Sequence, residues 1–308
     1  MCGRFASARK RSELLEEFGV QRDRSGTGLD ADWNVAPTKS VYAVLTRDHD
    51  EPDSRDSGSR GSSGRGSGSK GSATNGAGQD GAGRDPAAGD AGHGADGGGE
   101  PERQLRVVRW GLVPFWAKDP AIGSRMINAR AETLAEKPAY RRAFARRRCL
   151  LPADGFYEWQ QIDDGGKKRK QPYYIHRQDG GPLAFAGLYE LWRDDAVPAD
   201  ADGAWLWTTT IITTQAKDEV GRIHDRMPMV IEPGAWADWL DPGLTEVAGA
   251  HRLLVPATAS GLTAEPVSAA VNNVRNNGPE LTTPLAADGS AGAHPPDGAP
   301  AGSGGTLF

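Results

Sequence analysis

Large apolar side chains are missing from one long stretch of this 308-residue chain. Residues 48–104 contain no Val, Ile, Leu, Met, Phe, Tyr or Trp but hold 16 of the 41 glycines. Such a stretch cannot bury enough surface to offset its ordering entropy, so we predict a disordered insert there. The tail, residues 284–308, is nearly as poor in apolar residues and is predicted to be disordered as well. Residues 1–283 without the insert are long enough for one sizeable domain.

Cysteine is also scarce, since Cys2 and Cys149 are the two present, and this excludes a disulfide framework. No apolar run approaches the ~18 residues of a membrane span, and the start of the chain lacks the apolar core of a signal peptide. The six histidines are scattered and no CxxC or HExxH spacing occurs, so no metal site is predicted. No phosphate-binding glycine motif follows a predicted strand, so no nucleotide cofactor is expected. These absences favour a reduced, cytoplasmic protein.

The formal net charge of −5 does not describe the folded part, because the insert holds eleven acidic and six basic residues. The rest of the chain is close to neutral and carries a cluster of arginines within residues 141–148. Aromatic side chains occur in nearby motifs, namely Trp110, Phe115, Trp116 and Trp159. A protein that binds single-stranded nucleic acid uses cationic side chains to contact phosphates and aromatic rings to stack on bases.

Periodicity and turn residues predict an α+β fold. Helices are predicted at residues 8–18, 138–148, 217–223, 235–240 and 245–254. Strands are predicted at 41–46 and 105–112, and a late strand at 265–271. Four further β-rich runs within residues 149–214, two of them separated by a polar turn at 163–170, predict a largely antiparallel meander.

Cys2 is the most unusual candidate residue, because removal of Met1 would make it the first residue of the chain. An N-terminal cysteine carries a thiol of pKa about 8.5 next to an α-amine of pKa about 8, a 1,2-aminothiol. Such a pair condenses with an aldehyde, first as a Schiff base through nitrogen and then as a thiazolidine when sulfur closes on the same carbon. Position alone also fits an incidental cysteine near a chain end.

Three more side chains suit proton transfer or substrate orientation. Glu158 shares a strand face with Phe156, where burial would raise its pKa as a general acid or base requires, or it is simply an exposed strand residue. His224 lies between a helix and an apolar strand, where it suits proton transfer or a structural hydrogen bond. Asn128 precedes a predicted helix and either caps it or orients a sugar oxygen.

Six motifs occur in a fixed order along the chain: Met1–Phe5 (MCGRF), Trp33–Thr38 (WNVAPT), Trp110–Trp116 (WGLVPFW), Ile127–Thr133 (INARAET), Leu151–Trp159 (LPADGFYEW) and His224–Pro228 (HDRMP). Together they resemble the SRAP (SOS response-associated peptidase) family of abasic-site processing proteins. The resemblance covers nearly the whole chain outside the insert and the tail.

The resemblance implies a single α+β domain with a curved, barrel-like, mainly antiparallel β core flanked by helices, and a positively charged groove for single-stranded DNA. It implies a role in the DNA damage (SOS) response, in which the chain cross-links to the aldehyde of an abasic site through Cys2. Autocatalytic removal of Met1 is compatible with it, so the enzyme class is peptidase (a hydrolase) and lyase. The expected location is the cytoplasm, with nucleoid association on DNA, and the expected state is a monomer.

Site roles carry over from the matching motifs. Cys2 is the nucleophile and Asn128 positions the sugar. Glu158 assists ring opening and proton transfer, while His224 shuttles protons to the sugar hydroxyl. The implied DNA-binding residues are Arg4, Arg130 and Arg226, which would hold phosphates, and Pro37, Trp110 and Trp159, which would shape the groove or stack on bases.

Two other functions are compatible with the same residues. In a cysteine peptidase, Cys2 would attack a carbonyl with His224 as its base and Asn128 or Glu158 in support. In a non-catalytic module for single-stranded DNA, Cys2 would be incidental. The amine discriminates between them, because a peptidase needs only the thiolate whereas cross-linking needs a free N-terminus.

Overall fold

The computed structural model describes residues 2–47, 100–198, 201, 203–255 and 261–286. The β-strands of this part are β1 (Phe5–Ser7), β2 (Arg22–Arg24), β3 (Asp32–Val35), β4 (Ser40–Arg47), β5 (Glu102–Trp110), β6 (Asn128–Arg130), β7 (Arg148–Ala153), β8 (Gly155–Asp164), β9 (Lys167–Arg177), β10 (Leu183–Arg193), β11 (Trp205–Gln215), β12 (Arg226–Pro228) and β13 (Leu262–Pro266). The α-helices are α1 (Arg11–Glu17), α2 (Arg141–Arg146), α3 (Asp218–Ile223), α4 (Trp236–Leu240) and α5 (Val247–Arg252). Short 3₁₀ turns include Pro120–Arg125, Ala131–Thr133 and Ala269–Asn272.

Five strands close into a barrel. In the order β11, β10, β7, β4 and β5 each strand pairs with the next, antiparallel throughout. β5 then returns to β11 through the parallel register Thr208↔Arg109 and Thr209↔Trp110. β2 extends the sheet beyond β5, and β12 and the short β6 pair with β11. The predicted α+β class with a curved, barrel-like, mainly antiparallel core is confirmed.

Alternation along the barrel strands buries both of their faces. On β4, Val41, Ala43 and Leu45 belong to the cluster that fills the barrel, whereas Tyr42 and Val44 belong to a second cluster on its outer side. Side chains of α1, α2, α4 and α5 join the outer cluster, so these helices cover that side. In the described part of the chain, no helix has the length and apolar content needed to cross a bilayer.

A second, antiparallel sheet with the order β13, β9, β8, β1 and β3 packs beside the barrel. The chain enters it from β7 through Asp154. A Cβ at Gly155 would lie 2.5 Å from Cζ of Tyr174, so the corner needs glycine. The predicted meander is therefore wrong in one respect, because the run at residues 149–160 divides at this corner between the barrel and the second sheet.

Three predicted boundaries are also corrected. The β4–β5 ladder reaches the pair Arg47↔Glu102, so residues 102–104 of the predicted insert are strand, while residues 48–99 lie outside the described residues. At the predicted start of the tail, the Leu285 N–H donates to the Pro266 carbonyl at 2.8 Å, and residues 287–308 lie outside the described part. The late strand is β13, which ends before the 3₁₀ turn that contains Val271.

The predicted polar turn at residues 163–170 is mostly strand. The β8–β9 ladder runs to the pair Asp164↔Lys167 and leaves Gly165 and Gly166 as the turn. Both glycines have positive φ, 62° and 85°, as two-residue hairpin turns require. Polar residues dominate here because the end of the hairpin is exposed to solvent, so composition alone resembles a loop.

Candidate active site

Cys2 lies at the end of the ladder that joins the N-terminus to β8. Phe5 pairs with Phe156, and the Tyr157 N–H donates to the Arg4 carbonyl at 2.9 Å. The Cys2 side chain is fully buried in the cluster that fills the barrel. Burial, and after it the charge of Glu158, raise the pKa of the Cys2 thiol far above its ordinary value. The thiol is therefore held protonated at neutral pH.

Glu158 is buried on the same side of the sheet as Cys2. Phe156 belongs to the barrel-filling cluster and Tyr157 to a cluster on the opposite side, so alternation places Glu158 with Phe156, as the sequence predicts. The Glu158 side chain is 2% exposed, so it is not a solvated strand residue. Burial raises the pKa of Glu158 to about 7, although the charge of the N-terminal amine and a hydrogen bond to it lower the pKa; the Asp225 charge adds a smaller rise. Such a carboxyl can give and take a proton at neutral pH.

Asn128 reaches Cys2 from the barrel side. Its strand, β6, pairs with β11, and its Nδ2 donates to the Cys2 carbonyl at 2.7 Å. Its Oδ1 is buried and has no hydrogen-bond partner within the described residues. A buried amide oxygen without a donor is uncommon and suits a ligand hydroxyl. Asn128 does not cap a helix, because the following 3₁₀ turn has Arg130 at its N-cap.

His224 follows α3 and is partly exposed. Its Nδ1 accepts the Arg226 N–H at 3.0 Å and lies 2.8 Å from Oδ1 of Asp225. The first contact suits a neutral ring with its proton on Nε2, and the second suits the imidazolium. Burial is the main cause that lowers the pKa of His224, so the neutral ring is preferred at pH 7.

The structure places the three predicted phosphate-binding arginines in different surroundings. Arg4 donates through Nη1 to Oδ1 of Asn34 at 2.6 Å and to the Val271 carbonyl at 2.8 Å. Arg226 makes a two-pronged pair with Glu132, at 2.7 and 3.0 Å. Arg130 is exposed, and no hydrogen bond or ion pair engages it within the described ranges. Arg130 is thus the one of the three whose charge faces solvent.

The other three predicted DNA-binding residues, Trp110, Trp159 and Pro37, differ in how far they are buried. Trp110 is fully buried and donates to the carbonyl of Ile127, next to Asn128, so it supports the site from behind and offers no face for a base. Trp159 is half-buried under the Arg4 guanidinium, 5.9 Å from its ring centre, and Pro37 is half-buried in the β3–β4 turn.

Two aromatic residues that the sequence names as possible base-stacking groups, but that are not among the implied DNA-binding residues, have exposed rings. Phe115 and Trp116 are 44% and 52% exposed in the loop that follows Trp110, and the Arg142 guanidinium lies 4.6 Å from the Phe115 ring centre. Large exposed rings are rare in the described chain, and that exposure, rather than any sequence spacing, identifies them. The described residues contain no group of His, Cys, Asp and Glu side chains suited to a metal ion.

The fold and the site define a class: an α+β protein whose second sheet brings a buried cysteine, Cys2, against a buried carboxyl, Glu158, and an asparagine, Asn128. The chain belongs to the SOS response associated peptidase (SRAP) family, whose model matches residues 1–274.

Similar proteins occur in bacteria and in eukaryotes. The chain is 33% identical over 281 residues to the abasic site processing protein YoqW of Bacillus subtilis, covering 91% of this chain and 98% of YoqW. It is 35% identical over 201 residues to the abasic site processing protein HMCES of Xenopus tropicalis, covering 58% of this chain and 57% of HMCES. A crystal structure of a Bacteroides thetaiotaomicron protein superimposes with a TM-score of 0.62 at 22% identity, covering 92% of this chain and 99% of that one, so the fold is shared.

Proposed function

We propose that this protein captures abasic sites in single-stranded DNA by a covalent link to Cys2. After loss of Met1, the Cys2 amine adds to the C1′ aldehyde of the opened sugar and water leaves, which forms a Schiff base. The thiol then adds to the same carbon, its proton passes to the nitrogen, and a thiazolidine results. The net reaction joins the protein to DNA and releases one water molecule.

The observation that carries this proposal is the placement of a buried thiol beside Glu158, whose pKa is raised to about 7. The closed sugar must open before any aldehyde exists. A carboxylic acid near its pKa can take the proton of the C1′ hydroxyl and supply one to the ring oxygen, which gives the aldehyde and a C4′ hydroxyl. The same group can then protonate the hydroxyl that leaves as water.

Asn128 and His224 complete the proposed chemistry. Both ends of an abasic nucleotide within a strand are esterified, so its hydroxyls are the one on C1′ when closed and the one on C4′ when open. The buried Oδ1 of Asn128 is an acceptor without a donor, and a sugar hydroxyl would satisfy it. His224 in its neutral form can relay the proton of that hydroxyl.

A cysteine peptidase is the second candidate, and the electrostatics of the thiol argue against it. A peptidase nucleophile is a thiolate, whose pKa is lowered by a neighbouring cation. Here burial and Glu158 raise the pKa of Cys2, and burial lowers that of His224, so both shifts disfavour a thiolate–imidazolium pair. A neutral thiol suits a late attack on an iminium carbon, after the amine has reacted.

The decisive experiment uses an oligonucleotide with one abasic site, mixed with the purified full chain and run on a denaturing gel. We expect a slow band with the wild type and none with Cys2→Ala. Cys2→Ser is the matched control because it is nearly isosteric; both variants keep the N-terminal amine once Met1 is removed, so each should give a borohydride-trappable Schiff base but no stable thiazolidine. Mass spectrometry of the mature chain should show that Met1 is absent.

Three outcomes would overturn the proposal. A stable cross-link formed by molecules that retain Met1, or whose start is acetylated, would exclude the amine. Peptide cleavage without any band would favour the peptidase, and binding to the oligonucleotide with neither band nor cleavage would leave a single-stranded DNA-binding module.

A further inference from the structure

The β8–β9 hairpin extends well beyond the rest of its sheet. β1 pairs with β8 at Phe156 and Gly155, and β13 pairs with β9 only as far as Tyr173. Residues 161–170 therefore form a two-stranded ribbon with no third strand beside it in the described structure. Its four paired rungs, Gln161↔Lys170 to Asp164↔Lys167, project about 13 Å at the usual rise per strand residue. We call residues 161–170 the arm.

The root of the arm is fixed beside the candidate active site. Trp159 Nε1 donates to Oδ1 of Asn272 at 2.7 Å, and Gln160 Nε2 donates to the Arg222 carbonyl at 3.1 Å, just before His224. On the other strand, Gln171 Nε2 donates to the Val267 carbonyl at 2.9 Å. The arm thus leaves the protein from a position two residues beyond Glu158, with its direction set by these contacts.

The arm carries a net positive charge. Its second strand reads Lys167-Lys168-Arg169-Lys170, and with Asp163 and Asp164 on the first strand the arm carries a net +2, whereas the chain outside residues 48–104 and the tail is close to neutral. All four cations are exposed. The register places Lys168 and Lys170 on the face of Trp159, which lies under Arg4, and Lys167 and Arg169 on the face of Glu158. The lysine pair therefore shares its face with two of the implied DNA-binding residues.

The arm adjoins the candidate active site through its root, because Gln160 donates a hydrogen bond to the Arg222 carbonyl two residues before His224. The charge of Lys170 is the smallest of the influences on the pKa of His224, so its loss should hardly alter that group. The arm carries no aromatic ring, so it is suited to phosphates and not to base stacking.

We propose that the arm binds the DNA backbone on one side of the lesion, with Lys168 and Lys170 as phosphate contacts that do not take part in the chemistry. The partner is the sugar–phosphate backbone, recognised by charge and without base sequence. The location relative to a lesion rests on the proposed function. Cations on an exposed strand edge also prevent aggregation, and that simpler role is the alternative to be tested.

The test measures equilibrium binding of the full chain to single-stranded oligonucleotides that carry a tetrahydrofuran abasic analogue. The analogue has no aldehyde, so binding is read separately from cross-linking. The variant Lys168→Gln/Lys170→Gln is compared with the control Lys10→Gln/Arg24→Gln, two exposed cations in α1's N-cap and in β2, which pair with neither strand of the arm. Each lost single-strand phosphate contact removes about 0.7 from the slope of log K against log salt.

We expect the slope of the arm variant to be shallower by about 1.4, with the control unchanged. Shortening the oligonucleotide on one side of the lesion should abolish the difference between wild type and arm variant, whereas shortening on the other side should preserve it. The cross-linking rate at saturating abasic DNA should be unchanged. An unaltered slope, or equal losses in the arm variant and the control, would overturn the proposal. Failure of cross-linking in the wild type would instead count against the proposed function.

Discussion

Glu158 and Glu190 are almost equally buried, at 2% and 1% exposure, but their electrostatic surroundings differ. Glu190, on β10 of the barrel, pairs with Arg147, which is buried as well. Burial raises the pKa of Glu158 to about 7, although the charge of the N-terminal amine and a hydrogen bond to it act in the opposite direction. The comparison shows that burial alone does not set how a carboxyl behaves. A buried arginine gives Glu190 a structural ion pair, whereas at Glu158 burial outweighs the cationic partner and brings the pKa close to neutrality.

Replacing Glu190 should have the largest effect of the changes considered, and the quantity that it changes is the free energy of unfolding. Glu190→Gln leaves the Arg147 charge buried without its carboxylate, which costs about 3–5 kcal/mol in comparable cases. Urea unfolding measures the loss, and the double variant Arg147→Met/Glu190→Leu should recover much of it. The cross-linking rate per folded molecule should stay at the wild-type value. A variant that folds normally but cross-links slowly would assign Glu190 to the chemistry and break the comparison.

Glu158→Gln should slow cross-linking, whereas Glu190→Gln should lower stability and leave the cross-linking rate unchanged. General acid–base catalysis contributes roughly 10²–10⁴-fold, so we expect cross-linking at least tenfold slower with DNA affinity nearly unchanged. The pH–rate profile of the wild type should show an ionisation near 7, which the variant lacks. Single-turnover gels at saturating DNA between pH 5 and 9 measure both. Equal rates in the two proteins would remove Glu158 from the mechanism.

Glu158→Gln should also change the pH dependence of stability. Because the pKa of Glu158 is raised on folding, the wild type binds this proton more tightly when folded and loses stability as pH rises from about 4.5 to about 7. The variant escapes that loss, so its stability relative to the wild type should grow over this range, by up to about 3 kcal/mol, and then level off. Thermal unfolding at pH 5, 6, 7 and 8 tests this. A constant difference would mean that the carboxyl is not desolvated.

The sequence predicts the face of Glu158 correctly because strand alternation is a local property. Its environment depends on which strands lie opposite, and no local pattern shows that β1 brings Cys2 to that face. The division of one β-rich run at Gly155 was missed for a related reason. The need for glycine there comes from the Tyr174 ring on a neighbouring strand, which sequence order does not reveal.

Side-chain pairing across the fold explains what the sequence could not predict about the arginines and Trp110. Arg226 and Glu132 are far apart in sequence and meet only because β6 and β12 flank β11. Trp110 belongs to a motif rich in aromatics, yet only Phe115 and Trp116 of that motif have exposed rings. Composition indicates aromatic and cationic groups, but tertiary packing decides which of them DNA can reach.

Arg226 and Arg130 also differ in pairing, since Arg226 is paired with a carboxylate and Arg130 is exposed to solvent. Replacing them should have the smallest effect of the changes considered, and it should act on DNA binding. Arg226 is already engaged by Glu132 and by the Thr213 carbonyl at 2.7 Å, so a phosphate would have to displace the carboxylate. Arg130→Ala should therefore weaken binding to single-stranded DNA and make the salt slope shallower by about 0.7, whereas Arg226→Ala should leave the slope unchanged. Salt titrations of binding to the tetrahydrofuran oligonucleotide measure both. An equally reduced slope in both variants would show that the ion pair between Arg226 and Glu132 opens when DNA binds, so that Arg226 is available to phosphates as well.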